Sequence, residues 1–228
     1  MATLYDCSEP EELMTGMRLA RQAIRRGQLV VLPTDTVYGV AADAFRPDAV
    51  QRLLDAKGRG RDAPPPVLVP GTDQLAALAE TVPEEVDRLV AEFWPGGLTI
   101  VLRARSTLTW DLGETRGTVA VRMPSDRIAL ELLAETGPLA VSSANLTGQP
   151  AAMTAEEAHR MLGSAIEVYL DGGPAGIAYA ALGAAEGTGS TIVDATALED
   201  PDGKLRILRH GVIPDEEIVR IVGAERCA

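Results

Sequence analysis

The sequence predicts an α/β protein built on one large mixed β-sheet. Short Val-, Leu- and Ile-rich runs of strand length alternate with amphipathic helical patterns, the alternation follows no strict βαβ repeat, and no linker or repeat period divides the chain. A chain of 228 residues buries about 70–75% of its unfolded surface. One domain over residues 1–228, needing neither disulfide nor metal to fold, is therefore expected.

Ser8 and Glu11 have the spacing of a capping box, and Leu13, Met17, Leu19, Ala20 and Ile24 follow at near-helical intervals up to Gly27. Gln28–Leu32 is a continuous apolar run, read as a strand covered on both faces and closed by Pro33. It delivers Thr34, Asp35, Thr36 and Tyr38 to a loop. Pro47 opens a helix that runs to Ala56, with Gly58 just beyond it. Ala63–Pro66 cannot be helix interior.

Val67–Val69 reads as a strand, and Thr72–Ala79 and Pro83–Phe93 as helices. The turn Trp94–Gly97 precedes strand Leu98–Leu102, and a charged loop separates that from strand Thr118–Met123. Helix Asp126–Glu135, strand Leu139–Ser142, helix Thr154–Leu162 and strand Glu167–Leu170 follow. Asp171–Gly189 is Gly/Ala-rich and read as a loop too long to be idle. Ser190–Asp194, Leu205–Arg209 and a helix from Pro214 to Val222 complete the order.

Composition excludes several classes. Cys7 and Cys227 sit near opposite ends, and His159 and His210 are the two histidines, so the familiar zinc spacings are absent. This cysteine usage points to a reducing compartment, with a terminal disulfide as the alternative. No run of about 18 apolar residues occurs, and the N-terminus MATLYDCSEPEEL is acidic where a signal peptide is basic and apolar. A cytoplasmic protein without membrane association is expected. A net charge of −12 disfavours broad, sequence-independent nucleic-acid binding and still allows a local basic pocket.

Candidate chemistry gathers at strand ends. Lys57, Arg59 and Arg61 alternate with glycines in what reads as an exposed loop, where they suit phosphate or carboxylate; a solvated basic turn is the alternative. Thr34, Asp35 and Thr36 are ligand groups or satisfy their own turn. Ser142, Ser143 and Asn145 offer hydroxyl and amide groups, but no G-x-S-x-G elbow surrounds the serines. Gly187, Gly189, Ser190 and Thr191 lack the P-loop lysine. Arg122 and Arg209 end strands; either clamps a ligand or makes a salt bridge. His159 reads as structural, with His210 better placed. No nucleophile–base pair or metal triad stands out, so an enzyme here would work by binding and orienting its substrates.

Together PTDTVYGVAADA at Pro33–Ala44, AKGR at Ala56–Arg59, FWPGGLTIVL at Phe93–Leu102, TVAVRMPSD at Thr118–Asp126, SSANLTGQPA at Ser142–Ala151, GSTIVDAT at Gly189–Thr196 and ILRHG at Ile207–Gly211 resemble the threonylcarbamoyl-AMP synthase (YrdC-like) family. The resemblance runs in consistent order over about 20–223 and is to the short form without the extra C-terminal domain. It implies a large, open, twisted sheet flanked by helices around a concave basic cavity. It also implies a reaction in which L-threonine, bicarbonate and ATP, with Mg²⁺, give L-threonylcarbamoyl-adenylate and pyrophosphate. That product would supply threonylcarbamoyl-transferase proteins acting on tRNA, as the first step of t6A37 formation.

Carried over by position, Thr36, Arg122 and Ser190 would contact L-threonine. Lys57, Arg59, Thr118, Ser143, Asn145 and Arg209 would surround ATP, with Lys57 and Arg59 catalytic and no metal ligand from protein side chains. Thr34 and Ala151 are further candidates. Family members often carry a proline and then Lys or Asn after Lys-x-Arg; here the run is Gly60–Leu68, with Arg61 the candidate replacement cation. Two other readings are a carbamoyl-transfer module like that of hydrogenase-maturation proteins, and a non-catalytic RNA-binding or regulatory protein.

Overall fold

The computed structural model describes residues 3–228; Met1 and Ala2, the first two residues of the acidic N-terminus, lie outside them. Ten strands form one continuous sheet: β1 (Thr3–Asp6), β2 (Val30–Leu32), β3 (Gly39–Asp43), β4 (Val67–Leu68), β5 (Leu98–Arg103), β6 (Thr118–Arg122), β7 (Leu139–Ser143), β8 (Val168–Asp171), β9 (Thr191–Asp194) and β10 (Arg206–Arg209). Their spatial order is β1-β8-β2-β3-β7-β4-β6-β5-β9-β10. Parallel pairs (β1/β8, β2/β8, β4/β6, β5/β9) mix with antiparallel ones, giving the mixed sheet the sequence predicts.

The helices are α1 (Pro10–Arg25), α2 (Pro47–Lys57), α3 (Asp73–Leu78), α4 (Glu84–Phe93), α5 (Arg127–Thr136), α6 (Ala155–Leu162), α7 (Ile177–Ala181) and α8 (Asp215–Val222). Among the described residues none is long and apolar enough to cross a membrane. Asp126 and Thr154 cap α5 and α6 by accepting from Ala129 N and Glu157 N. The expected capping box at Ser8 does not form. Pro10 starts α1 two residues later, so Glu9 holds the cap position without a side-chain bond and Ser8 Oγ donates to Asp6 Oδ1 instead. Strands β1 and β3 and the short α7 were not among the elements expected. Cys7 and Cys227 are free thiols, so the disulfide alternative falls.

Helices cover the two halves of the sheet differently. Around β2, β3 and β8, α1 and α5 pack on one face through Met17, Ala20, Ile24, Leu132 and Leu133, while α2 and α6 pack on the other through Leu53, Leu54, Ala158 and Leu162. Val30–Leu32 is fully buried between them, as expected of a strand covered on both faces. Around β5, β6 and β9, one face packs on α3, α4 and α8 through Leu98, Ile100, Leu102, Val119, Val121 and Val193. The alternate residues Thr99, Val101, Ala120, Arg122 and Ile192 line a cavity instead.

Two chain segments close that half. Val212 N donates to Gly189 O at 3.1 Å, and Ile213 N donates to Thr191 Oγ1 at 2.9 Å. A Cβ at Gly211 would stand 2.3 Å from Thr191 N and 2.4 Å from Ser190 C, both backbone atoms that cannot swing aside. Gly211→Ala is therefore expected to cost about 1–3 kcal/mol in urea denaturation.

Candidate functional site

The site begins where β2 stops. Thr34 Oγ1 donates to Val37 O at 2.6 Å and accepts from the amides of Thr36 at 3.2 Å and Val37 at 3.3 Å, so one buried hydroxyl shapes the turn. That turn sets Thr36 Oγ1 3.0 Å from Nη1 of Arg122, at the end of β6. Arg122 also donates from Nε to Gly96 O at 2.9 Å and pairs through Nη2 with Asp35 Oδ1 at 2.8 Å. Both side chains of the ion pair are only 7% exposed, and Asp35 Oδ1 accepts a further bond from Ser125 N. Asp35, which the sequence left between ligand group and turn, is the counterion of Arg122.

Opposite them, the β9–β10 pairing slips between Ile207 and Arg209, a bulge that lets Leu208 and Arg209 both line the cavity. Arg209 donates from Nε to Ser190 O at 2.8 Å and from Nη2 to Ser190 Oγ at 2.9 Å. Its pKa is lowered first by desolvation, then by the positive charges of Arg122 and Arg59. Three arginines thus share one field.

The basic cluster departs from its expectation. Lys57 is the last residue of α2 and is buried, not in an exposed loop. Gly58 ends the helix at φ +60°, a left-handed conformation suited to glycine, and Lys57 turns inward. Its ammonium donates to Ser143 O, to Asn145 O at 2.7 Å and to Asn145 Oδ1 at 3.2 Å. Burial and then the charge of Arg59 lower its pKa to about 8. Arg59 reaches the cavity and donates to Ser142 Oγ at 3.0 Å. Arg61, the replacement cation the sequence suggested, turns the other way, pairing with Asp111 at 2.6 Å, and is not among the residues lining the cavity. His159 packs edge-on against Tyr169, whereas exposed His210 faces Asp215.

The cavity, about 740 Å³, is lined by nine of the twelve residues put forward with the family resemblance: Thr34, Thr36, Arg59, Thr118, Arg122, Ser143, Ala151, Ser190 and Arg209. Lys57 and Asn145 stand behind its wall, and Arg61 outside it. Two contributors went unread. Thr99 on β5 meets Ser190, and Tyr179 on α7 accepts Gly97 N at 2.7 Å, bracing the turn whose Gly96 carbonyl holds Arg122. Period-two alternation could have exposed Thr99, a polar residue between core residues Leu98 and Ile100; no comparable signal marks Tyr179.

A family model described as telomere recombination, Sua5/YciO/YrdC, matches residues 22–211. The chain belongs to the Sua5/YciO/YrdC family. A Mycobacterium tuberculosis protein named "Putative threonylcarbamoyl-AMP synthase" is 44% identical over 225 residues, covering 99% of this chain and 97% of that protein. The Bacillus subtilis threonylcarbamoyl-AMP synthase is 36% identical over 93% of this chain and 59% of its own length. The crystal structure of P. abyssi Sua5 complexed with L-threonine superposes with a TM-score of 0.84 at 35% identity, over all of this chain and 62% of that one. This Sua5/YciO/YrdC chain thus spans less than two thirds of the P. abyssi protein. The E. coli YciO structure, at 22% identity and a TM-score of 0.75 over 93% of this chain and 96% of its own, shares the fold.

Two substitutions test this geometry. Lys57→Ala leaves Asn145 O and Oδ1 without their donor and Ser143 O with only Asn145 N, and is expected to lower stability by about 1–3 kcal/mol in chemical denaturation, as an exposed loop lysine would not. Asp35→Asn leaves Arg122 buried without a countercharge; breaking such a pair costs about 3–5 kcal/mol, read as a lowered thermal midpoint.

Proposed function

We propose that this chain is an L-threonylcarbamoyladenylate synthase, joining L-threonine, bicarbonate and ATP and releasing pyrophosphate. The observation that carries the reading is the convergence of Arg59, Arg122 and Arg209 with a row of small hydroxyls on one cavity, in a chain whose net charge is −12. Full-length similarity to named synthases, and the L-threonine complex of P. abyssi Sua5, support that choice of substrates.

The roles are those that the family resemblance implies, and the residue chemistry is compatible with them. Arg122, its orientation fixed by Asp35 and Gly96, receives the threonine carboxylate, with Thr36 and Ser190 completing that subsite. Arg59 and Arg209 face the triphosphate, with Thr118 and Ser143 on the same wall. Lys57 and Asn145 act from behind by holding the Ser143–Asn145 loop. The threonine amine adds to the bicarbonate carbon, a C–O bond breaks and that oxygen leaves as water carrying the amine proton, giving a carbamate. A carbamate oxygen attacks the α-phosphorus, the bond to the β-phosphate oxygen breaks, and pyrophosphate leaves.

Negative charge spreads over phosphate oxygens in that step, so fixed arginines stabilise it electrostatically. Each charge-assisted hydrogen bond contributes roughly 1.5–3 kcal/mol. The Mg²⁺ that accompanies ATP would screen the phosphate oxygens and be held by them and by water, with no ligand from protein side chains. The adenylate would pass to transferase proteins that modify tRNA in the cytoplasm, with direct tRNA contact weak or local.

Pyrophosphate release is expected to require L-threonine and bicarbonate together, and release indifferent to threonine would overturn the reading. Arg59→Ala should lower turnover at least about a hundredfold while leaving the thermal midpoint unchanged. Tight, salt-dependent tRNA binding with no ATP-dependent product would favour the RNA-binding alternative.

A further inference from the structure

Thr99 is a buried hydroxyl of the cavity that the mechanism above leaves unused. It is 1% exposed, on β5, and its Oγ1 lies 2.7 Å from Ser190 Oγ. Ser190 Oγ also accepts from Arg209 Nη2 at 2.9 Å. A serine hydroxyl has one proton and two lone pairs, and a guanidinium can only donate, so Arg209 occupies one lone pair of Ser190.

The shared Thr99–Ser190 bond then has two possible directions. Among the described residues Thr99 Oγ1 has no hydrogen-bond partner besides Ser190. Either direction leaves one hydroxyl proton without a protein acceptor: that of Thr99, 1% exposed, if Ser190 donates, or that of Ser190, 4% exposed at the cavity, if Thr99 donates. Stranding the more deeply buried donor is the costlier outcome, because the other can reach cavity water or a ligand oxygen. Thr99 therefore donates, both lone pairs of Ser190 are taken, and its one remaining capacity is its own proton.

We infer that Thr99 is a positioning residue that makes Ser190 an obligate hydrogen-bond donor, committing this corner of the cavity to an anionic or carbonyl oxygen of the ligand. In the reaction proposed above, on which this inference rests, that oxygen belongs to the threonine carboxylate or the nascent carbamate. Valine would fill the same volume on the same strand, so packing alone does not require threonine here. The hydroxyl is the chemical difference.

Thr99→Val, Thr99→Ser, Ser190→Ala and the Thr99→Val/Ser190→Ala double variant separate the possibilities. Steady-state KM for L-threonine and for ATP is measured with thermal midpoints and calorimetric L-threonine binding. Thr99→Val is expected to raise the threonine KM about five- to tenfold, with the ATP KM within about twofold and an unchanged thermal midpoint. Thr99→Ser should restore it. The double variant should be no worse than Ser190→Ala alone, because Thr99 acts through Ser190.

An active Thr99→Val enzyme with a wild-type or lowered threonine KM would overturn the inference. So would an effect that adds in full to that of Ser190→Ala, or one that moves both KM values and the thermal midpoint together. A wild-type protein that releases no threonine-dependent pyrophosphate overturns the reaction itself, a result distinct from all of these.

Discussion

The Arg122–Asp35 ion pair is the constraint around which the rest of the site is arranged. A guanidinium this deeply buried is tolerated only with a countercharge and satisfied donors. Asp35 supplies the charge, and Gly96 O and Thr36 Oγ1 take the other donors. Those partners come from the β2–β3 turn and the α4–β5 turn, and Ser125 N just before α5 shares the same carboxylate oxygen. One buried cation therefore requires three loops, far apart in sequence, to meet at the end of β6.

Electrostatics then separates the cavity from the surface around it. The chain carries twelve more acids than bases, yet Arg59, Arg122 and Arg209 share one cavity, where burial first and then the charges of Arg122 and Arg59 lower the pKa of Arg209. Mutual repulsion of this kind is unfavourable in the empty cavity and is relieved by an anion. A phosphate-rich ligand is thus drawn to one place on a surface whose overall charge repels polyanions.

Much of this was legible in the sequence, for identifiable reasons. Elements bounded by Pro, Gly and capping residues, such as α2, α5 and β5, fall within a residue or two of expectation. Strands β1 and β3 did not show: β1 is a largely exposed edge strand, TLYD, with no apolar run, and Gly39–Asp43 carries three small residues in five, which blurs strand periodicity. Arg122 and Arg209 were visible because they close strands, Thr36 because it follows one and Ser190 because it precedes one, each within a motif. The direction in which a side chain leaves the backbone was not. Lys57 and Arg61 flank the same glycine turn, yet one is pulled inward by three oxygens and the other outward by Asp111, partners 86 or more and 50 residues away. Spacing along the chain carries no information about such contacts.

Along β5 and β6 the residues that hold the core and those that face the ligand alternate, with Leu98, Ile100 and Leu102 on one side and Thr99 and Val101 on the other. The two sets are coupled by the backbone but not by packing. A substitution at Thr99 or Val101 therefore changes what the cavity presents while the layer formed by Leu98, Ile100 and Leu102 keeps its packing. A half-sheet with helices on one face only keeps the chemistry of its open face separable from the cohesion of its covered one.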